Sequence, residues 1–231
     1  MSSPFLSAPL PAEPAPLLDA KFIKPGTAVF QMKHQDNVVG TSRFDIQRQN
    51  GHWVLTETSV LEQYQVNAVN QTTLAADGLQ PLAFRGTGTM FGRPVDIDVR
   101  WQDQKVTGKS LFPRAQGQPQ GAIAIDREWP GGTLERTSVF FLVNAMPVAE
   151  RKKWSFRWYN TYDDSLTEID AAVTGSEEVT VPAGTFDTWR VELRGGQPSQ
   201  VVYIAKQEPR QMVRIEVVDS PWTYERLPDG T

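Results

Sequence analysis

The 231-residue sequence contains no cysteine and only two histidines, His34 and His52. Without cysteine the chain has no disulfide, no cysteine-ligated zinc, no iron–sulfur cluster and no thiol nucleophile. Two histidines are too few for a histidine-rich metal site, and no Gly-x-Ser-x-Gly motif marks a serine nucleophile. We therefore expect no metal site, no cofactor and no catalytic residues.

The sequence also lacks long hydrophobic runs and any excess of positive charge. Its longest apolar run, Val139–Val143, has five residues, whereas a membrane-spanning helix needs roughly 20. The formal net charge is −4, which disfavours binding along a nucleic-acid backbone. We expect neither a membrane span nor a nucleic-acid partner.

Proline is concentrated at the start of the chain, where six of the 17 prolines fall within residues 1–25. Because repeated proline blocks helices and strand ladders, residues 1–22 are predicted to be a flexible tail rich in proline and alanine. Residues 23–231 are predicted to be a single domain. The first 20 residues lack the basic and apolar stretches of a secretory signal, which leaves the cytoplasm open, as well as export with a signal already removed.

From residue 27 onward, apolar and polar residues alternate in short segments separated by turn residues. In one such segment every second residue is apolar, from Val95 to Trp101, so these side chains share one face of a strand. Asn50-Gly51 lies between two alternating segments and indicates a hairpin, because both residues tolerate positive φ. This pattern predicts a mainly β protein whose antiparallel sheet has one dry face.

One segment departs from the alternation and predicts a short helix near 134–145. Thr133 can cap its start, and Pro147 stops it soon after its end. The run Val139–Val143 is too apolar for a solvated helix. We expect this helix to pack against the sheet or to plug it.

Aromatic residues are abundant, with seven tryptophans and 11 phenylalanines, and several fall at inward positions of the predicted strands. Such side chains can fill a closed core or line a cavity for an apolar ligand, and both arrangements produce the same alternation. The predicted ligand-binding residues are Trp53, Trp101, Trp154, Trp158, Trp189, Phe140 and Phe141.

Two carboxylates, Asp96 and Asp98, lie on one face of a predicted strand, about 6–7 Å apart. Carboxylates at that separation can serve acid–base chemistry or hold a cation. The simpler interpretation is the solvated face of an amphipathic strand, with Arg100 as a counter-charge. We do not expect an enzyme, and a carboxylate-dependent hydrolase is the minor alternative.

The part of the chain from about residue 130 to about residue 218 resembles a known family. The run Val-Thr-Val-Pro-Ala-Gly-Thr-Phe at 179–186, the strands that follow near 201–204 and 211–216, and the apolar helix before Met146-Pro147 are similar to the domain-of-unknown-function family 3108. The resemblance implies a curved antiparallel half-barrel around one helix. It also implies an exported bacterial protein of the periplasm or cell envelope. Similar half-barrels in lipoprotein carriers hold acyl chains in the concave face.

Two functions remain after these exclusions. The first is a non-enzymatic binding or carrier protein for an apolar or amphipathic, lipid-like ligand in the concave face of the sheet. The alternative is an interaction or scaffold domain of the cell envelope that binds a protein partner. Both place the function on the apolar face and the sheet edges rather than on ionisable residues.

Overall fold

The computed structural model describes residues 18–114, 121–150 and 152–230, and its strands form a single 15-stranded sheet. The strands are β1 (Gly26–His34), β2 (Asn37–Gln49), β3 (His52–Leu61), β4 (Val66–Leu74), β5 (Pro81–Met90), β6 (Arg93–Gln102), β7 (Lys105–Leu111), β8 (Ile123–Glu128), β9 (Thr133–Glu135), β10 (Lys153–Asn160), β11 (Ser165–Val181), β12 (Gly184–Arg194), β13 (Gln200–Ala205), β14 (Met212–Val217) and β15 (Trp222–Arg226). The helical elements are α1 (Val139–Leu142) and three 3₁₀ turns at Ala20–Phe22, Glu62–Tyr64 and Val143–Ala145.

Strands that follow one another along the chain pair with one another, except for β8 and β9. The first strand, β1, pairs with the last, β15, and this pairing joins the two halves of the sheet. No pairing connects β8 to β9 in the described residues, so these two strands form the ends of the sheet. All pairs are antiparallel apart from β9 and β10. The prediction of a mainly β protein with a curved antiparallel sheet is confirmed.

Side chains bring the two ends of the sheet together. Arg127 of β8 forms an ion pair with Asp164, which follows β10, at 2.8 Å. Tyr159 of β10 donates a hydrogen bond from its hydroxyl to the same carboxylate at 2.9 Å, and its ring packs edge-on against Trp101 of β6. These contacts hold the sheet in a strongly curved form.

The predicted hairpin turns are present. Asn50 and Gly51 connect β2 to β3 with φ values of 50° and 79°, the left-handed conformation that the type I′ turn requires. Pro182 and Ala183 connect β11 to β12, and Gly184 after them has a φ of 131°. The Pro-Ala-Gly-Thr-Phe run is therefore a tight strand corner, as its composition indicates.

The prediction of a helix near 134–145 is wrong for the first half of that segment. Residues Thr133–Glu135 form β9, which pairs in parallel with β10, and α1 covers only Val139–Leu142 before a 3₁₀ turn that ends at Ala145. A helix this short is marginal by itself, whereas the edge of β10 offers unpaired backbone groups. The residues that the sequence pattern assigned to the first helical turns therefore pair as a strand with β10.

The apolar residues of the short helix form the centre of the main core, as predicted. Val139, Leu142 and Val143 are at most 1% exposed. The ring of Phe141 packs edge-on against Phe44 of β2, with ring centroids 5.1 Å apart. Burial of this run against the inner face of the sheet supplies hydrophobic stabilisation that a four-residue helix cannot obtain from its own hydrogen bonds.

The predicted domain boundary at residue 22 falls within the 3₁₀ turn Ala20–Phe22. Asp19 accepts the backbone N–H of Lys21, and its own N–H donates to the carbonyl of Ala145 at 2.9 Å. Ile23 is 4% exposed, and its burial fixes this turn on the core. Residues 1–17 of the predicted tail lie outside the described residues. No helix among the described residues is long and apolar enough to cross a membrane.

Candidate ligand cavity

A cavity of about 550 Å³ lies between the inner face of the sheet and the segment that leads into α1. Its walls come from β1, β3, β4, β5 and β13 to β15, and residues 136, 137 and 140 close one side. The volume falls within the range of about 300–1,000 Å³ that is usual for small-molecule sites.

One end of the cavity is apolar. Since β1, β3 and β5 end where β4 and β15 begin, their terminal residues meet at one rim of the antiparallel sheet. Phe91, in the turn after β5, extends this apolar surface outward and is 63% exposed. The side chains that line this end are Met32, Leu61, Tyr64, Val66, Met90 and Trp222.

Further inside, the cavity wall is polar. Glu57 lies four residues before Leu61 on the same face of β3, a distance of about 13 Å along the strand. Its carboxylate accepts hydrogen bonds from Ser42 at 3.1 Å, Ser59 at 3.3 Å and the side-chain amide of Asn70 at 3.3 Å. Three neutral donors from β2, β3 and β4 therefore hold this carboxylate in place.

Two tyrosine hydroxyls share this polar wall. Tyr162 accepts hydrogen bonds from the amide of Asn70 at 3.0 Å and the hydroxyl of Thr137 at 3.5 Å. Burial raises the pKa of Tyr162 and of Tyr224 well above the usual tyrosine range, and the nearby charge of Glu57 raises both further. Both phenols therefore stay neutral across the physiological pH range and can act as hydrogen-bond donors.

The guanidinium of Arg136 also lines the cavity. It lies 5.7 Å from the ring centroid of Trp158 and 5.7 Å from that of Tyr162. Within the described ranges it forms no ion pair and donates no side-chain hydrogen bond. Arginine carries five N–H donors in one plane, so two aromatic contacts leave those donors without acceptors.

The turn that carries Arg136 is fixed by a buried carboxylate. Glu135 is fully buried and accepts the backbone N–H of Thr137 at 3.0 Å and that of Ser138 at 2.8 Å. The hydroxyl of Ser138 in turn donates to the carbonyl of Glu135 at 2.7 Å. Burial raises the pKa of Glu135 to about 7, against the opposing effect of these two donors. The side chains of residues 136 and 137 face the cavity from this hydrogen-bonded turn.

The predicted ligand-binding aromatics do not line one cavity. Trp53, Trp154 and Trp158 are at most 6% exposed and pack in the main core, and Trp101 belongs to the separate core near the ends of the sheet. Trp189 lies at a surface hollow with the ammonium of Lys206 over its ring at 4.5 Å. Phe140 lines the 550 Å³ cavity. A ligand-binding role for the whole set stays a prediction.

A second cavity, of about 270 Å³, lies beside the first 3₁₀ turn, between β1, β2 and α1. Phe141 and Phe140 both line it, so the Phe140 ring separates the two cavities. This cavity is half the volume of the first. The larger cavity, with its polar interior, is the better candidate for a ligand.

Asp96 and Asp98 lie outside both cavities, on the exposed face of β6. Asp96 pairs with Lys109 at 2.5 Å, and Asp98 pairs with Arg85 at 2.9 Å. The hydrogen bond from Lys109 holds the pKa of Asp96 below its usual range. This is the ion-paired solvated face that the sequence favoured. Among the described residues, no group of three or more histidine, aspartate or glutamate side chains is arranged to hold a metal ion.

Sequence reasoning missed the polar residues of the cavity. One signal was present, since the alternation of β3 places Glu57 on the same face as Trp53 and Leu61. A charged residue at an inward position of an otherwise apolar face indicates a polar site. No comparable signal marked Arg136, because the pattern assigned it to a helix.

The comparisons with known proteins support the fold. A family model described as "Protein of unknown function (DUF3108)" matches residues 18–221, which confirms the resemblance seen in the sequence. No curated protein matches the chain.

A crystal structure of a beta-barrel-like protein of the domain of unknown function DUF1849 from Brucella abortus has a similar fold. The TM-score is 0.50 and the sequence identity is 11%, over 89% of this chain and 95% of that chain. At that identity the likeness concerns the fold alone.

Proposed function

We propose that this protein, which belongs to the DUF3108 family of proteins of unknown function, is a non-enzymatic binding protein that holds one amphipathic ligand in its larger cavity. The observation that carries the proposal is the division of one 550 Å³ cavity into an apolar end and a polar interior. A ligand with an apolar chain and a polar head matches both parts at once.

The two parts are ordered along the strands in the way such a ligand requires. The apolar side chains lie at the rim of the sheet, where Phe91 is exposed, and the polar wall around Glu57 lies about 13 Å further in. The ligand would enter with its polar head first and leave its chain against Leu61, Val66 and Trp222. Burial of the chain supplies most of the free energy of binding, because each buried CH₂ contributes about 0.8 kcal/mol.

The test is calorimetric titration of the purified protein with decanol, a neutral amphiphile. The expected result is saturable binding with a negative heat-capacity change, the signature of apolar burial. Mass spectrometry of an organic extract of the protein, purified without detergent, is expected to show a co-purified amphiphile.

A pair of variants locates the binding. Ala68 lines the cavity from β4, and Val69 lies next to it on the opposite face of the strand. Ala68→Phe is expected to fill the cavity and abolish binding, whereas Val69→Phe is expected to bind as the wild type does. Circular dichroism establishes that both variants fold. Unchanged binding by a folded Ala68→Phe variant, or no saturable binding by the wild type, would refute the proposal.

A further inference from the structure

Arg136 places a guanidinium group in the wall of the cavity. Many other arginines of the chain have carboxylate partners, such as Arg127 with Asp164 and Arg226 with Asp229. Arg136 is half-buried and, in the part of the chain that the structure describes, contacts two aromatic rings and no acceptor. A partly desolvated guanidinium without an acceptor is costly, and an anionic ligand group removes that cost.

We infer that Arg136 anchors an anionic head group, so that the ligand is an amphiphile with a carboxylate or a similar anion at its polar end. This inference rests on the proposed function. The rings of Trp158 and Tyr162 restrict the guanidinium, and its planar fork suits bidentate pairing with a carboxylate. Less rotamer freedom is then lost when the ligand binds.

The surrounding polar groups are arranged for the same head group. The neutral hydroxyls of Tyr162 and Tyr224 lie in the same wall and can donate to an anion. The turn held by Glu135 keeps the guanidinium and the hydroxyl of Thr137 on the cavity side.

Two acidic side chains also line the cavity and must be accounted for. Glu57 accepts three hydrogen bonds from neutral donors of the sheet and forms no ion pair with Arg136 in the described residues. Asp219 is exposed, in the turn between β14 and β15 at the outer end. Since neither forms an ion pair with Arg136 in the described residues, the N–H donors of the guanidinium remain for the ligand.

The experiment compares three probes with the same alkyl chain: decanoate, decanol and decyltrimethylammonium. We expect the wild type to bind decanoate most tightly. Arg136→Gln is expected to weaken decanoate binding by about tenfold to a hundredfold, the effect of one charge-assisted pair, and to leave decanol binding within about twofold. Arg136→Lys keeps the charge but loses the planar fork of the guanidinium. Its affinity for decanoate is expected to lie between that of the wild type and that of Arg136→Gln.

The matched control is Arg48→Gln. Arg48 also places its guanidinium over a tryptophan, 4.6 Å from the ring of Trp53, but it is exposed and lies outside the cavity. Its loss is expected to leave all three affinities unchanged, and thermal unfolding curves establish that each variant is folded.

The outcomes separate this inference from the proposed function. Equal loss of decanoate and decanol binding in Arg136→Gln, or wild-type decanoate binding by that variant, would overturn the anionic head group while leaving the cavity as the binding site. Tighter wild-type binding of decyltrimethylammonium than of decanoate would do the same. If the wild type binds none of the three probes, the proposed function itself fails.

Discussion

The buried carboxylate of Glu135 makes the stability of this protein depend on pH in a direction opposite to that of most acidic residues. Burial raises the pKa of Glu135 from 4.5 to about 7 in the folded chain. The folded state therefore holds a proton on this group that the unfolded state releases at lower pH. The contribution of neutral Glu135 is complete below pH 4.5, and it is lost as pH rises through about 7.

The magnitude follows from the size of the pKa shift. A shift of one unit corresponds to about 1.4 kcal/mol, so a rise from 4.5 to about 7 makes the folded state about 3 kcal/mol less stable at pH 8 than it would be with a neutral group. Glu135→Gln removes the titration while keeping the shape of the side chain. Its amide can accept only one of the two backbone N–H groups, which subtracts a constant of about 1–2 kcal/mol at every pH.

The assay is urea unfolding of the wild type and of Glu135→Gln between pH 4 and pH 8. The free energy of unfolding of the wild type, minus that of the variant, is expected to fall by about 3 kcal/mol across this range. Taking the difference removes the contributions of the ionisable groups that both proteins share. Parallel curves, with a difference constant to within about 0.5 kcal/mol, would refute the reasoning, because the carboxylate would then titrate equally in both states.

Three further predictions follow from single contacts. Tyr159→Phe removes the 2.9 Å hydrogen bond to Asp164 at the joined ends of the sheet and should lower the free energy of unfolding by about 1 kcal/mol; no change in urea denaturation would show that this bond contributes nothing. Gly88→Ala should cost at least about 2 kcal/mol, because Gly88 has a φ of 115° and an added Cβ would lie 2.1 Å from the carbonyl oxygen of Asn67. Gly175→Ala, with nothing within 4 Å of its added Cβ, should stay within about 0.5 kcal/mol of the wild type, and equal thermal unfolding shifts for the two glycine variants would contradict the steric argument. Phe91→Asn should raise stability by up to about 1 kcal/mol, because Phe91 has a φ of 53°, yet weaken binding of decanol; tighter binding by this variant would exclude Phe91 from the ligand site.

Much of the sheet could be predicted because its determinants are local. The alternation between Val95 and Trp101 depends only on the two-residue period of a strand, and all four odd positions there are buried. The left-handed conformation of Asn50-Gly51 follows from the steric freedom of those two residues. The same local logic failed at Thr133–Glu135, where an unpaired edge of β10 outweighed a helical pattern.

The candidate site could not be predicted in this way, because its members come from distant parts of the chain. Glu57 and Tyr162 are 105 positions apart in sequence, yet Asn70 donates a hydrogen bond to each of them. No periodicity within one strand carries that information. The tryptophans illustrate the converse, because an inward position indicates burial but not whether a ring fills the core or faces a cavity.

The sequence by itself determined the mainly β fold, through the alternation of apolar and polar residues along its strands. The absence of cysteine excluded disulfides and cysteine-ligated metals, and the scarcity of histidine disfavoured a histidine-rich metal site. Only the tertiary structure decided where the inner face is filled and where a cavity remains, since this depends on how α1 packs against the curved sheet. It also decided that Arg136 faces that cavity, because the position of this side chain depends on the pairing of β9 with β10 and on the buried turn at Glu135. The physical reason is that strand formation is set by short-range sterics, whereas cavities and unpaired charges arise from contacts between residues far apart in the chain.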